Sequence, residues 1–404
     1  MKPSSSSFLS VSVTDAAVIL HPAKVIPAGI AIVGVTYGLA RYAYGLFLPY
    51  MQEDLMLSTE VSGLIAGISY FGYLAATLIG AGVSARFGAR LPVVIGGLAA
   101  AIGMGCIATA SSAWALGVGV FIAGASPGLA YPPLSKIILR HVEETHREKS
   151  YAWINSGTGF GVLLAGPVAL FAGVDWRLAW GIFASLALLA TFWNLSLLPK
   201  PQNSQAGAQR AFSFSAALRR NAFGLFAVAF LFGLVTSVYW TFAVDLLVRG
   251  NGWSSENAAM FWIVVGVAGI LGCFAGHLVQ VIGVKICFVI GALILASAFL
   301  MLPMAPHIPA LVFLSAAIFG ATFIGITALF GIASIYLYND QPEIGFGIVF
   351  FLISLGQLVG PIGGGFAIVS FGISNVFLVT AACCSLLAIM APIENIKSMT
   401  DRGA

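Results

Sequence analysis

Twelve long apolar runs, separated by short polar connections, decide what this chain can fold into. They cover approximately residues 26–50, 60–83, 91–110, 113–137, 151–173, 178–198, 221–247, 257–280, 285–303, 309–336, 344–369 and 374–392. About 20 apolar residues in a helix cross the hydrocarbon core of a bilayer, and each run is close to that length or longer. Strands of a membrane barrel would alternate in pieces of about ten residues, whereas these runs are continuous. The expected fold is an all-α membrane protein of twelve transmembrane helices. Composition agrees: charged residues make up 8% of the chain and apolar residues 60%, against about 25% and 45–50% in a soluble domain. Water cannot solvate the surface of a globule with so few charges, whereas lipid can.

The basic residues set an orientation. With the N-terminus inside and the spans alternating, Lys2, Lys24, Arg86, Arg90, Lys136, Arg140, Arg147 and Lys149 fall on the cytoplasmic side. Lys200, Arg210, Arg219, Arg220, Lys285, Lys397 and Arg402 follow them there, and Arg41, Arg177 and Arg249 are left elsewhere. Both termini are expected in the cytoplasm. The opening MKPSSSSFLSVSVTDAAVIL lacks a basic stretch leading into a clean apolar core with a cleavage site, so no removable signal peptide is expected. Cys106, Cys273, Cys287, Cys383 and Cys384 all lie within apolar runs. Their spacing fits neither a disulfide framework nor a zinc site, and they read as small packing residues; no metal and no cofactor is expected.

The longest polar connection is Pro199–Arg220, PKPQNSQAGAQRAFSFSAALRR, at the middle of the chain. Its Pro, Gln, Ser and Gly content favours a flexible linker. The expected organisation is a tail over 1–25, a six-helix bundle over 26–198, a linker over 199–220, a second six-helix bundle over 221–392 and a tail over 393–404. The halves also repeat. Gly88 and Gly283 occupy equivalent loops 195 residues apart, and Gly166-Pro167 recurs as Gly360-Pro361 at 194. Gly157 aligns with Phe351 at that offset and is not shared.

The loop ARFGAR between the second and third runs resembles the signature Gly-x-Leu-x-Asp-Arg-x-Gly-Arg-Lys of the major facilitator superfamily. Arg86 and Gly88 match, Arg90 supplies the last basic position, and Ala85 replaces the aspartate. In the second half Gly276, Leu278, Gly283 and Lys285 match, with Gln280 at the acidic position. The eleventh run carries Gly347, Gly356, Gly360, Pro361, Gly364 and Gly365, similar to the superfamily's antiporter-type glycine pattern, which normally belongs to span five. Close helix packing and a hinge are the plainer meaning of those residues. The first run, GLARYAYGLFLPYMQEDL, resembles the YbfB/YjiJ family at Arg41, Tyr42, Tyr44, Leu48 and Pro49. The resemblance implies two six-helix bundles in the major facilitator fold, alternating-access transport of a small molecule, and a multi-pass place in the bacterial cytoplasmic (inner) membrane. It names no substrate; a monomer with lipid around it is expected, and the net charge of +4 reads as a topology signal and not as a nucleic-acid partner. The arginine that many proton antiporters of the superfamily place on span four is missing, with Val120 standing near its position.

Arg41 is the most informative residue. It lies about fifteen residues into its run, roughly 22 Å along a helix, where a charge costs a few kcal/mol and must find a wet cavity or a partner. Its guanidinium matches a carboxylate bidentately. At helical spacing Tyr37, Arg41 and Tyr44 share one face, suited to an organic anion; the alternative is an arginine satisfied by backbone carbonyls or by Glu53 and Asp54. Tyr131 and Lys136 on span four, Asn155 on span five, Tyr239 and Trp240 on span seven and Gln357 on span eleven are further candidates to line a cavity, against a plain core or interface role. Asp245, Arg86, Gly88, Arg90, His277, Gly360 and Pro361 are the candidates for coupling or gating. Asp245 is placed to pair with Arg41 or Arg249, or to be a solvated acid. No acidic residue lies deep in a span, so proton coupling would use the substrate's own carboxylate or Asp245. The leading expectation is a carrier of a small organic anion, a carboxylate, with protons as the candidate coupling ion. The alternative is efflux of drugs or amphipathic metabolites by proton antiport. An enzyme would need a cluster of His, Asp or Glu within the spans, and none is present.

Overall fold

The computed structural model describes residues 19–199, 222–272, 275–304, 307–338 and 342–390, and among them every regular element is helical. The terminal tails and the central linker fall, but for a few residues, outside the described residues. The helices follow the expected order: α1 Pro22–Asp54, α2 Thr59–Phe87, α3 Arg90–Ala108, α4 Ala113–His141, α5 Glu144–Ala172 and α6 Trp176–Leu197. The second half has α7 Phe223–Asn251, α8 Ser255–Leu271 continued by Ala275–Ile282, α9 Val284–Met304, α10 Pro309–Leu337, α11 Pro342–Phe371 and α12 Ile373–Ile389. Among the described residues ten helices are long and apolar enough to cross a membrane, and Ser255–Leu271 and Ile373–Ile389 are shorter apolar helices. Phe71, Leu78, Ile102, Phe171, Leu189 and Val379 are exposed, as side chains that face lipid can be.

Even-numbered helices of the first half, and α8, start on short polar caps. Ser58, Ser112, Asp175 and Ser254 accept hydrogen bonds from Val61, Ala115, Leu178 and Asn257 backbone N–H groups, filling donors that a helix start leaves open. The loops after α2 and α8 instead turn through Gly88 and Gly283, at φ 82° and 80°. The two glycines that the repeat pairs in sequence therefore share a positive φ, which a side chain adopts only at a cost.

Elements run further than the apolar runs suggest. α1 extends past its run at both ends, from the His21 cap to Asp54. α4 reaches His141 and α5 begins at Glu144, so the charged stretch read as a connection is mostly helix. Apolar length marks where lipid lies, whereas a hydrogen-bonded ladder continues into water.

Two seams join the halves: α2 packs on α11, and α5 packs on α8. Under the internal repeat α2 corresponds to α8 and α5 to α11, so the seams are equivalent. The last part of α1, Tyr44–Asp54, adds a third contact with α7. There the backbones almost touch, since a Cβ on Gly45 would lie 1.8 Å from the Trp240 carbonyl oxygen.

Adding a methyl group at Gly88 or Gly283 tests the paired turns. Nothing lies within 4 Å of a Cβ at Gly283, so Gly283→Ala isolates backbone strain. It should lower stability by about 1–2 kcal/mol, read as an earlier thermal unfolding midpoint in detergent.

Candidate functional site

α1 is not a uniform helix. Gly34–Tyr42 forms a nine-residue π-helical segment between α-helical Pro22–Val33 and Tyr44–Asp54. Hydrogen bonding from i to i+5 widens the turn and rotates every later side chain about the axis; such segments collect at functional sites. Arg41 stands in the last turn of this segment and is 5% exposed. Its Nη2 donates to Gln357 Oε1 on α11 at 2.7 Å. Its guanidinium carbon lies 4.2 Å from the ring centre of Tyr73 and 4.7 Å from that of Tyr70, with Tyr42 and Tyr37 at 5.5 and 5.6 Å. Ring faces attract a cation, more so when it is desolvated.

Among the described residues no acidic side chain forms an ion pair with Arg41. Asp54 pairs with Arg177 at 2.6 Å, and Asp245 lies 3.5 Å from Arg249. The alternative in which Glu53 or Asp54 satisfies Arg41 is therefore not what the chain adopts. Arg41 Nε makes no hydrogen bond, nor do Ser69 Oγ and Trp240 Nε1, both on buried residues. All three residues line one small cavity with Tyr42, Tyr70 and Thr241. The cavity has about 10 Å³ of free space, room for a single water.

Next to it, the first half carries a belt of tyrosine hydroxyls. Tyr37 donates to Tyr73 at 3.3 Å, and Tyr131 donates to Asn155 Oδ1 at 2.9 Å. The rings of Tyr37 and Tyr131 meet edge to face at 5.7 Å, and Tyr151 follows at 6.0 Å from Tyr131. On the second half the wall is apolar: Trp240 stacks on Tyr42 at 4.4 Å and meets Phe319 and Phe323.

The structure brings Arg41, Tyr37, Tyr131, Asn155, Trp240 and Gln357 into this neighbourhood. Tyr44 lines the same cavity but turns its hydroxyl to the Ser62 carbonyl oxygen at 3.1 Å. The common face expected for Tyr37, Arg41 and Tyr44 assumed 3.6 residues per turn, and the π segment changes that phase. Tyr239 stands apart: it is 1% exposed, shares a hydrogen bond with Ser315 and stacks on Phe319 at 3.8 Å. Tyr42, Ser69, Tyr70 and Tyr73 were not among the sequence candidates. Ser69-Tyr70 and Tyr73, polar residues three and four apart on one face of an apolar run, were the available signal.

The gating candidates lie elsewhere. Arg86 is exposed over the Phe87 ring, Arg90 donates to the Leu195 carbonyl oxygen, and His277 is exposed. Gly360 packs against Leu234 and Ser237 of α7, while the Pro361 carbonyl meets Gly63 of α2. Asp245, Arg249 and Gln52 form a latch where α1 meets α7: Arg249 donates to Gln52 Oε1, and Gln52 Nε2 donates to Ser62 Oγ at 3.0 Å.

A bilayer-length helical bundle of two repeated halves, with a charged residue held at their centre, defines a membrane transporter. The family model described as "Uncharacterised MFS-type transporter YbfB" matches residues 33–393, and the chain belongs to that family of the major facilitator superfamily. It is similar to the hexuronate transporter of Bacillus subtilis, 23% identical over 92% of this chain and 94% of the relative. Human monocarboxylate transporter 11 is 29% identical over 60% of this chain and 53% of its own length. The purine ribonucleoside efflux pump NepI of Shigella dysenteriae is 21% identical over 89% and 93%. The crystal structure of the nucleoside transporter NupG superposes with a TM-score of 0.73 at 15% identity, covering 92% of this chain and 99% of NupG. A bacterial homologue of the lysosomal transporter Spinster, inward-facing and unoccupied, gives 0.73 at 16%, covering 95% and 98%. The fold is thus the major facilitator fold of two six-helix bundles, and the chain is a multi-pass secondary transporter, not an enzyme.

The latch should resist opening between α1 and α7. A hydrogen bond from a charged donor is worth about 1.5–3 kcal/mol, or about a tenfold or larger shift in a two-state balance. Gln52→Leu should accordingly raise the labelling rate of a cysteine placed at Thr241, in a background without native cysteines, by about that factor with an impermeant maleimide. An unchanged rate would show that the latch does not hold this face shut.

Proposed function

We propose that this protein carries a small organic anion, a carboxylate, across the bacterial cytoplasmic membrane by alternating access, with Arg41 as its charge partner. The observation that carries the reading is the small cavity lined by Arg41, Ser69 and Trp240, three buried residues with donors that have no hydrogen-bond acceptor. An unmet cation between two bundles is costly, and a carboxylate would satisfy it bidentately. Tyr37, Tyr73, Tyr131 and Asn155 are placed to receive the body of the substrate. Two relatives, a hexuronate transporter and a monocarboxylate transporter, are named for carboxylates.

In this reading residues 26–198 and 221–392 are the two moving bodies, both termini lie in the cytoplasm, and α1 and α7 meet at the outer side. The cavity, closed around one water's space, must widen to admit a substrate by parting α1 from α7 or by opening the opposite face. Protons are the candidate coupling ion, carried by the substrate's carboxylate or by Asp245, which is 4% exposed beside Arg249. Efflux of amphipathic compounds is the second reading, favoured by the aromatic wall of Trp240, Phe319 and Phe323.

Thermal stabilisation of the detergent-solubilised protein separates the two. A ligand at about a hundred times its Kd adds about 2.7 kcal/mol. D-glucuronate, L-lactate and benzoate are the carboxylate probes, with ethidium and rhodamine 6G as cationic amphiphiles. At least one carboxylate should stabilise the wild type, while Arg41→Gln should abolish the effect. Arg41→Lys should weaken it strongly, because a point charge cannot reproduce the planar fork. Stabilisation by the cations alone would overturn the anion reading in favour of efflux.

A further inference from the structure

Gln357 makes a direct link between the halves at the centre of the site. It lies on α11, is 2% exposed, and accepts the Arg41 Nη2 hydrogen bond at 2.7 Å across from α1. The amide oxygen is a neutral acceptor on a permanent cation, with no carboxylate paired to that cation among the described residues. Arg41 Nε is left without a hydrogen bond. We infer that Gln357 is an internal stand-in for the substrate's carboxylate: it occupies Arg41 when the carrier is empty and is displaced when the anion binds. This rests on the anion reading above and extends it to the return step of the cycle.

The physics runs in two directions. A carboxylate is the stronger acceptor and takes two N–H groups where the amide oxygen takes one, so the substrate wins the exchange. In winning it severs a bond between α1 and α11, two helices on opposite halves, and so binding loosens the seam that must rock. After release, Arg41 would be a buried cation with no partner, and a bundle cannot close on that without penalty. Gln357 restores a partner and lets the empty carrier close and return. The aromatic cage of Tyr37, Tyr42, Tyr70 and Tyr73 lies around Arg41. It softens the charge but supplies no acceptor along the N–H directions.

The test separates exchange from net transport in proteoliposomes, using whichever of D-glucuronate, L-lactate and benzoate stabilises the wild type. Exchange needs only the loaded carrier to reorient, whereas net flux needs the empty carrier to return. Gln357→Leu, with Gln357→Met as an unbranched second variant, should raise the ratio of exchange to net flux about tenfold or more. The probe's apparent affinity should hold or tighten, because its competitor is gone. Gln357→Glu should pair with Arg41 permanently. It should raise the unfolding temperature of the empty protein only while Arg41 is present, and it should abolish stabilisation by the probe. An unchanged flux ratio in both Leu and Met variants, or probe binding undiminished in Gln357→Glu, would overturn the inference. Retained stabilisation in Arg41→Gln would instead overturn the anion reading, and this inference with it. Loss in Arg41→Gln with an unchanged ratio in the Gln357 variants would defeat this inference alone.

Discussion

A permanently charged guanidinium sits in the middle of a bundle built to exclude water, and much of the central architecture answers to it. Arg41 cannot shed its charge, and at its depth it cannot reach either surface easily. Four tyrosine rings and one amide oxygen surround it. None of these carries a negative charge, so they stabilise the guanidinium without pairing it. A fully paired arginine would be a structural staple, whereas this one keeps an Nε donor with no hydrogen bond.

The surroundings divide by half. Spans α1, α2, α4 and α5 bring tyrosine hydroxyls and Asn155, while α7 and α10 bring an aromatic wall through Trp240, Phe319 and Phe323. The polar side chains around Arg41 thus come mainly from the first half, and the second contributes Gln357 and the apolar wall. α1 carries Arg41 and also meets α7 at Gly45, so a single helix joins that crossing to the charge. The π-helical segment itself packs on α5, and the part of α1 that follows it packs on α7.

The internal repeat relates the two seams to each other. The α2–α11 and α5–α8 contacts are related by the duplication, so the same close packing appears twice around a pseudosymmetric centre. Helix association in lipid depends on close approach and not on apolar area, and glycines and small residues along α2, α5, α8 and α11 permit it. Yet the copies have diverged where chemistry is concerned. The Gly88 and Gly283 turns persist as a pair, whereas Arg41 has no counterpart on α7, where the buried charge is Asp245 near the helix end.

Fold class, helix count, helix order and the repeat were legible in the residues, because a bilayer imposes one dominant rule: about twenty apolar residues for each crossing. That rule is local and reads directly from the chain. Arg41 was legible for the same reason, as a charge where lipid forbids one. Its environment was not. The phase of Tyr37, Arg41 and Tyr44 depended on a π segment that arises from how α1 packs. The cage residues Tyr70 and Tyr73 are ordinary aromatics until α2 is laid beside α1. The separation of Tyr239 from the site, and the 2.7 Å bond from Arg41 to Gln357 across 316 positions of sequence, likewise had no local signature. Apolar length tells a segment that it must enter the membrane; only tertiary packing decides which of its faces meets which neighbour, because in lipid every helix face is apolar and burial no longer distinguishes them.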